Sequence, residues 1–122
     1  MIEKLGTIRK VELGIEVSQH GINSLMITFE CPEFTQGFGG YALDEVGSWV
    51  EQDLVRRLCE IYKVSELNEL EGKPMIALYE YEHEHGQIVG MKNPETGATF
   101  TFPEWHERIK IMDRLKGVKE KQ

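Results

Sequence analysis

The sequence predicts an α+β fold: an antiparallel sheet of about five or six strands packed against one long helix and a C-terminal helix. Three observations carry that expectation. Strand-like alternation opens the chain, an apolar stripe at helical spacing runs through its middle, and strands return before a final amphipathic segment. The order strands, helix, strands, helix suits a sheet covered on one face by helices. At 122 residues the chain is expected to be one domain. Its 40% apolar residues allow a core, though a small one that leaves room for completion by a partner subunit.

Residues 2–17 read as a long strand through Leu5, Ile8, Val11, Leu13, Ile15 and Val17. The alternation is clean from Val11 onward and loose before it. The polar stretch SQHGINS, with Gly21, reads as a turn into LMITFEC, and the two strands are expected to form an antiparallel hairpin. Pro32 ends that pairing or places it at an edge. From Asp44 to about Lys63 the period becomes helical: Val46, Val50, Leu54, Leu58 and Ile61 recur at spacings of four and three. Asp44 suits the N-cap and Glu45 the positive end of the helix. SELNELEGK predicts a short helix capped by Ser65 and stopped by Gly72. KPMIALYEYEHEHGQIVGMKN supplies two strands around a turn at His85-Gly86, NPETG a turn, and ATFTF a short strand. Thr101 and Glu104 have capping-box spacing, so a last helix is expected from Pro103 to about Leu115.

Composition narrows the function classes. Fourteen basic against 21 acidic residues give a net charge of −7, which argues against an extended DNA or RNA groove. One small phosphate-bearing ligand needs only an arginine or two, and the balance leaves room for that. Cys31 and Cys59 do not make a disulfide framework; both read as reduced interior thiols. No segment has the order of a signal peptide or the apolar length of a membrane span, so a cytoplasmic protein is expected.

Four stretches carry candidate chemistry. QGFGGYALDE, residues 36–45, places glycines and the aromatics Phe38 and Tyr41 before the helix. Glycines let backbone approach a ligand, yet the spacing matches neither a phosphate loop nor a dinucleotide fingerprint, and a tight turn over core aromatics explains it equally. Arg57 flanks the apolar stripe. It either pairs with Asp53 one turn earlier, with its head reaching solvent, or stands at a pocket rim shaped for bidentate phosphate contact. YEYEHEH puts Tyr79, Tyr81, His83 and His85 on one face of a strand, but no third ligand is spaced to complete a metal site. NPETGATFTFPEWHER gathers Asn93, Phe100, Phe102, Trp105, His106 and Arg108. These could read and stack a nucleobase, or simply form a turn, an edge strand and a helix burying Trp105, Ile109 and Met112. No serine sits in a nucleophile elbow and no cysteine has a histidine nearby in sequence, so nothing specific points to an enzyme.

HGI…SLMITFE, then QGFGGYALDE, then the helix running into VSELNELEGKPM, resembles the first-described family of Thoeris anti-defence proteins of phages and prophages. The likeness covers roughly the first two thirds of the chain, with QGFGGYALD its most specific part. The last third departs from the family pattern, NPETGATFTFPEW standing in place of a shorter Trp-Phe ending. The resemblance implies a non-enzymatic sponge that binds cyclic ADP-ribose isomers, signals made by bacterial TIR-domain proteins, and holds them intact. It also implies oligomers built on a dimer, with the ligand near the subunit boundary. A sponge needs tight binding rather than transition-state stabilisation, so a catalytic set is not required.

Residue chemistry and resemblance together nominate Arg57, then Arg108, for phosphate. Phe38, Tyr41 and Phe102 are nominated for the base or its pocket, and Asn93 for a polar edge contact. No cofactor or metal is expected. Two rival expectations stand beside the sponge: an interaction module that docks on a host protein, and a small nucleotide-processing enzyme with a spatially assembled site.

Overall fold

The computed structural model describes residues 2–16, 22–38, 48–80 and 86–120. Its strands are β1 (Ile2–Glu16), β2 (Ile22–Glu30), β3 (Thr35–Phe38), β4 (Pro74–Tyr79), β5 (Ile88–Lys92) and β6 (Thr99–Thr101); its helices are α1 (Ser48–Tyr62) and α2 (Phe102–Glu120). The strands form one six-stranded sheet in the order β3-β2-β1-β4-β5-β6, antiparallel throughout. The α+β architecture read from the sequence is the one observed.

β1 holds the two halves of the sheet together. Its first part pairs with β4, from Ile2 opposite Tyr79 to Thr7 opposite Pro74; its second part pairs with β2, from Thr7 opposite Glu30 to Glu16 opposite Ile22. The register slips at Arg9, between the Ile8–Phe29 and Lys10–Thr28 pairs. An extra residue in one strand reverses which face each following side chain meets. That bulge explains the loose alternation before Val11. Ile8 is buried on the core face, Leu5 is 62% exposed on the other, and Val11 returns to the core after the slip.

One apolar cluster joins the covered face of the sheet to both helices. Ile8, Leu25, Ile27, Phe29, Met75, Ala77 and Met91 come from the strands; Leu54, Leu58 and Ile61 come from α1; Phe102, Trp105 and Ile109 come from α2. Leu54, Leu58 and Ile61 of the first expected stripe and Trp105 and Ile109 of the second are therefore buried, and Met112 is half-buried. Gly6 is required where the Phe29 ring crosses β1: a Cβ there would meet the Glu30 carbonyl and lie 2.5 Å from that ring. On the opposite face Leu5 and Met26 are exposed beside the ion pairs Arg9–Glu30 and Glu3–Lys92.

Three local expectations are corrected. Gln36–Phe38 is not only a glycine turn: it lies within β3, which pairs with β2 across a tight corner closed by the Cys31 amide donating to the Phe34 carbonyl at 2.9 Å. Pro32 sits in that corner, just past Glu30 where the β1–β2 pairing ends as expected, and there it also turns the chain into β3. SELNELEGK makes one 3-10 turn, Leu67–Leu70, not an α-helix. Its start is held less by Ser65 than by Glu69, whose carboxylate accepts the backbone amides of Ser65 and Glu66 at 2.9 and 2.8 Å. These amides hold the Glu69 carboxyl below its ordinary range. Gly72, at φ 87°, ends the turn as expected. Finally, α2 begins at Phe102, and extends past Leu115 to Glu120. Asp44, Glu45, Tyr41, Tyr81, His83 and His85 lie outside the described residues.

Candidate functional site

Where α1 passes β6 and the first turns of α2, the surface folds into a groove of about 740 Å³. The helix periods place its walls. On α1, Leu54, Leu58 and Ile61 turn inward, so Arg57 stands at the border of the buried stripe, its side chain 23% exposed. On α2, Phe102, Trp105 and Ile109 turn inward, leaving Glu104, Glu107, Arg108 and Ile111 along the adjoining flank. Phe100 and Trp105 contribute the aromatic edges, and Ile111 and Met112 the apolar ones.

The groove's charge order centres on Asp53, a carboxylate only 7% exposed. Its Oδ2 accepts the Trp105 indole N–H at 2.8 Å and the Arg57 Nε–H at 3.3 Å. Its Oδ1 accepts Arg56 Nη2 at 3.0 Å. Burial pushes the Asp53 carboxyl up, but the Trp105 N–H and the two guanidiniums outweigh it and hold the group below the usual carboxylate range. The Asp53–Arg57 pair expected from spacing is therefore present, and so is the position at a pocket rim; the two readings do not exclude each other. The indole contact was missed. Its signal was a carboxylate at the inward flank of an apolar stripe, where charge requires a donor from the facing element.

Of the other nominated residues, Arg108 joins Arg57 on the groove. The remaining described ones do not. Phe38 and Phe102 are 3% and 1% exposed and meet edge to face at 6.2 Å, so they shape the core and offer no free face to a base. Asn93 is buried at the β5–β6 turn: its Nδ2 donates to the Ile61 carbonyl at 3.1 Å and its Oδ1 accepts the Glu95 amide at 3.0 Å. That amide fastens the NPETG turn to the end of α1 and lies off the groove wall. Tyr41 falls outside the described residues.

His106 stacks obliquely on Trp105, ring centroids 5.2 Å apart, and burial followed by the Lys110 charge pushes its pKa down. A second cavity, of about 670 Å³, opens on the other flank of α1 beside Arg56, Cys59 and Lys63. Cys31 and Cys59 are both free and buried, as expected. Among the described residues no group of three or more His, Cys, Asp or Glu side chains could hold a metal ion. Among them, too, no helix is long and apolar enough to cross a membrane. Comparison with protein-family models, with curated proteins and with solved structures finds no match to this chain.

Proposed function

We propose that this chain is a phage or prophage immune-evasion protein that binds and sequesters, without cleaving it, a cyclic ADP-ribose-type signal made by bacterial TIR-domain defence proteins. The observation that carries the reading is the groove bearing two guanidiniums, Arg57 and Arg108, over apolar and aromatic edges. Its volume falls in the range of small-molecule sites. The pyrophosphate takes the guanidiniums, whose planar fork matches two phosphate oxygens. Glu104 and Glu107 on the same rim accept from ribose hydroxyls. Phe100 and Trp105 supply the apolar edge against which the adenine rests. The protein works in the cytoplasm of the infected cell as a homodimer or higher homo-oligomer, with the ligand near a subunit boundary.

One observation favours a second reading. Ile111 and Leu115, one turn apart on α2, are 56% and 59% exposed, and such a pair suits a module that docks on a host protein. Calorimetry with cyclic ADP-ribose isomers separates the two. A sponge binds one isomer tightly and, after heat denaturation, releases it with unchanged mass. A docking module gives no heat, and an enzyme returns a product; either result ends the proposal.

A further inference from the structure

Behind the groove wall lies a carboxylate that ligand does not need to touch. Asp53 takes donors from both sides of the groove: Arg57 and Arg56 on its own helix, and Trp105 across the gap on α2. We propose that Asp53 is a positioning residue for anion capture, fixing the plane of the Arg57 guanidinium so that its two Nη groups face a phosphate or diphosphate in the groove. The proposal rests on the ligand-binding reading above.

The geometry carries it in three steps. Asp53 engages Arg57 through Nε, at 3.3 Å, and among the described residues no other hydrogen bond of Arg57 is present. The edge between the two Nη groups, one of the two that can meet an oxyanion in bidentate fashion, is thereby left for ligand. Next, Oδ2 also accepts the Trp105 indole N–H at 2.8 Å, so one oxygen sets the spacing between the α1 and α2 walls. Last, Arg56 on Oδ1 compensates the carboxylate, and the trio Asp53, Arg56 and Arg57 stays net positive. An arginine held beforehand gives up less freedom when the anion arrives, which favours binding without a new contact.

Charge alone predicts the opposite. Removing the negative group beside Arg57 would raise the local potential and tighten anion binding. Asp53→Asn therefore decides by sign, and it keeps an acceptor for Trp105. Inorganic pyrophosphate is titrated calorimetrically into the full chain as wild type, Asp53→Asn, Arg57→Ala and the double variant; the Arg57 Nε–H resonance is followed without ligand. The expected result is about tenfold weaker binding in Asp53→Asn and, in the double variant, no loss beyond that of Arg57→Ala alone. Solvent exchange at the Arg57 Nε–H should also speed up when Asp53 is replaced. Equal or tighter binding by Asp53→Asn overturns the positioning role and leaves the groove reading intact. Absence of wild-type binding to pyrophosphate sinks the groove reading, and this role with it. Should Asp53→Asn not fold, an unprotected Arg57 Nε–H in the wild type alone overturns the role, and a protected one with pyrophosphate bound supports it.

Discussion

Arg57→Ala separates ligand capture from folding. In the ligand-bound state the guanidinium is expected to make charge-assisted hydrogen bonds worth about 1.5–3 kcal/mol, a loss of roughly tenfold to a hundredfold in affinity when it is removed. The folded state loses far less. Arg57 and Asp53 form an i,i+4 pair at 3.3 Å with the arginine side chain 23% exposed, and such pairs contribute about 0.3–0.5 kcal/mol. Asp53 is not orphaned either, because Trp105 and Arg56 remain on its two oxygens. For a domain of this size that corresponds to a melting shift of about 2 °C or less. Isothermal calorimetry with the tightest-binding cyclic ADP-ribose isomer, beside differential scanning calorimetry, reads both quantities. Unchanged affinity would remove Arg57 from the site. Lost affinity accompanied by a collapse of the melting temperature would show that its role is structural.

Three further outcomes are expected. Asn93→Ala removes the bonds to Ile61 and Glu95 and should cost about 1–3 kcal/mol in urea unfolding while leaving ligand affinity unchanged; the reverse pattern would return Asn93 to the ligand. Gly6→Ala drives a methyl against the Glu30 carbonyl and the Phe29 ring and should destabilise by about 1–3 kcal/mol, whereas a neutral result would mean that β1 and β2 part freely there. The depressed Asp53 pKa stabilises the fold above about pH 4, and that contribution is lost as pH falls through the lower folded value. Urea unfolding from roughly pH 2.5 to 6 should thus show a shallower acid decline in Asp53→Asn than in wild type, and parallel curves would discount the shift.

The parts of the fold written in period were legible. Leu54, Leu58 and Ile61, and Trp105 with Ile109, were read as buried from spacing alone and are buried, while Met112, placed on the same stripe, is half-buried and lines the groove. β3 was not legible because glycines at 37, 39 and 40 mask a four-residue strand that follows directly on the corner at Pro32. The bulge at Arg9 left only a trace, a broken alternation, since a register slip is decided by the partner strand. In the site, adjacency on one helix gave Asp53 and Arg57, while Trp105, 52 residues away from Asp53, could be joined to them only by tertiary packing. Phe38, Phe102 and Asn93 show the converse: residue chemistry that suits a nucleobase also suits a core and a turn, and sequence does not say which face of a ring is covered.

The position of β1 sets a timing problem for synthesis. A ribosome delivers this strand well before β4, so the edge running along Ile2–Thr7 waits for Pro74–Tyr79. At about 5–20 residues per second the intervening chain takes several seconds to emerge. Throughout that interval an unpaired backbone edge is open to a neighbouring nascent copy. Glu3 and Lys4, the charged residues on that stretch, disfavour such premature partners.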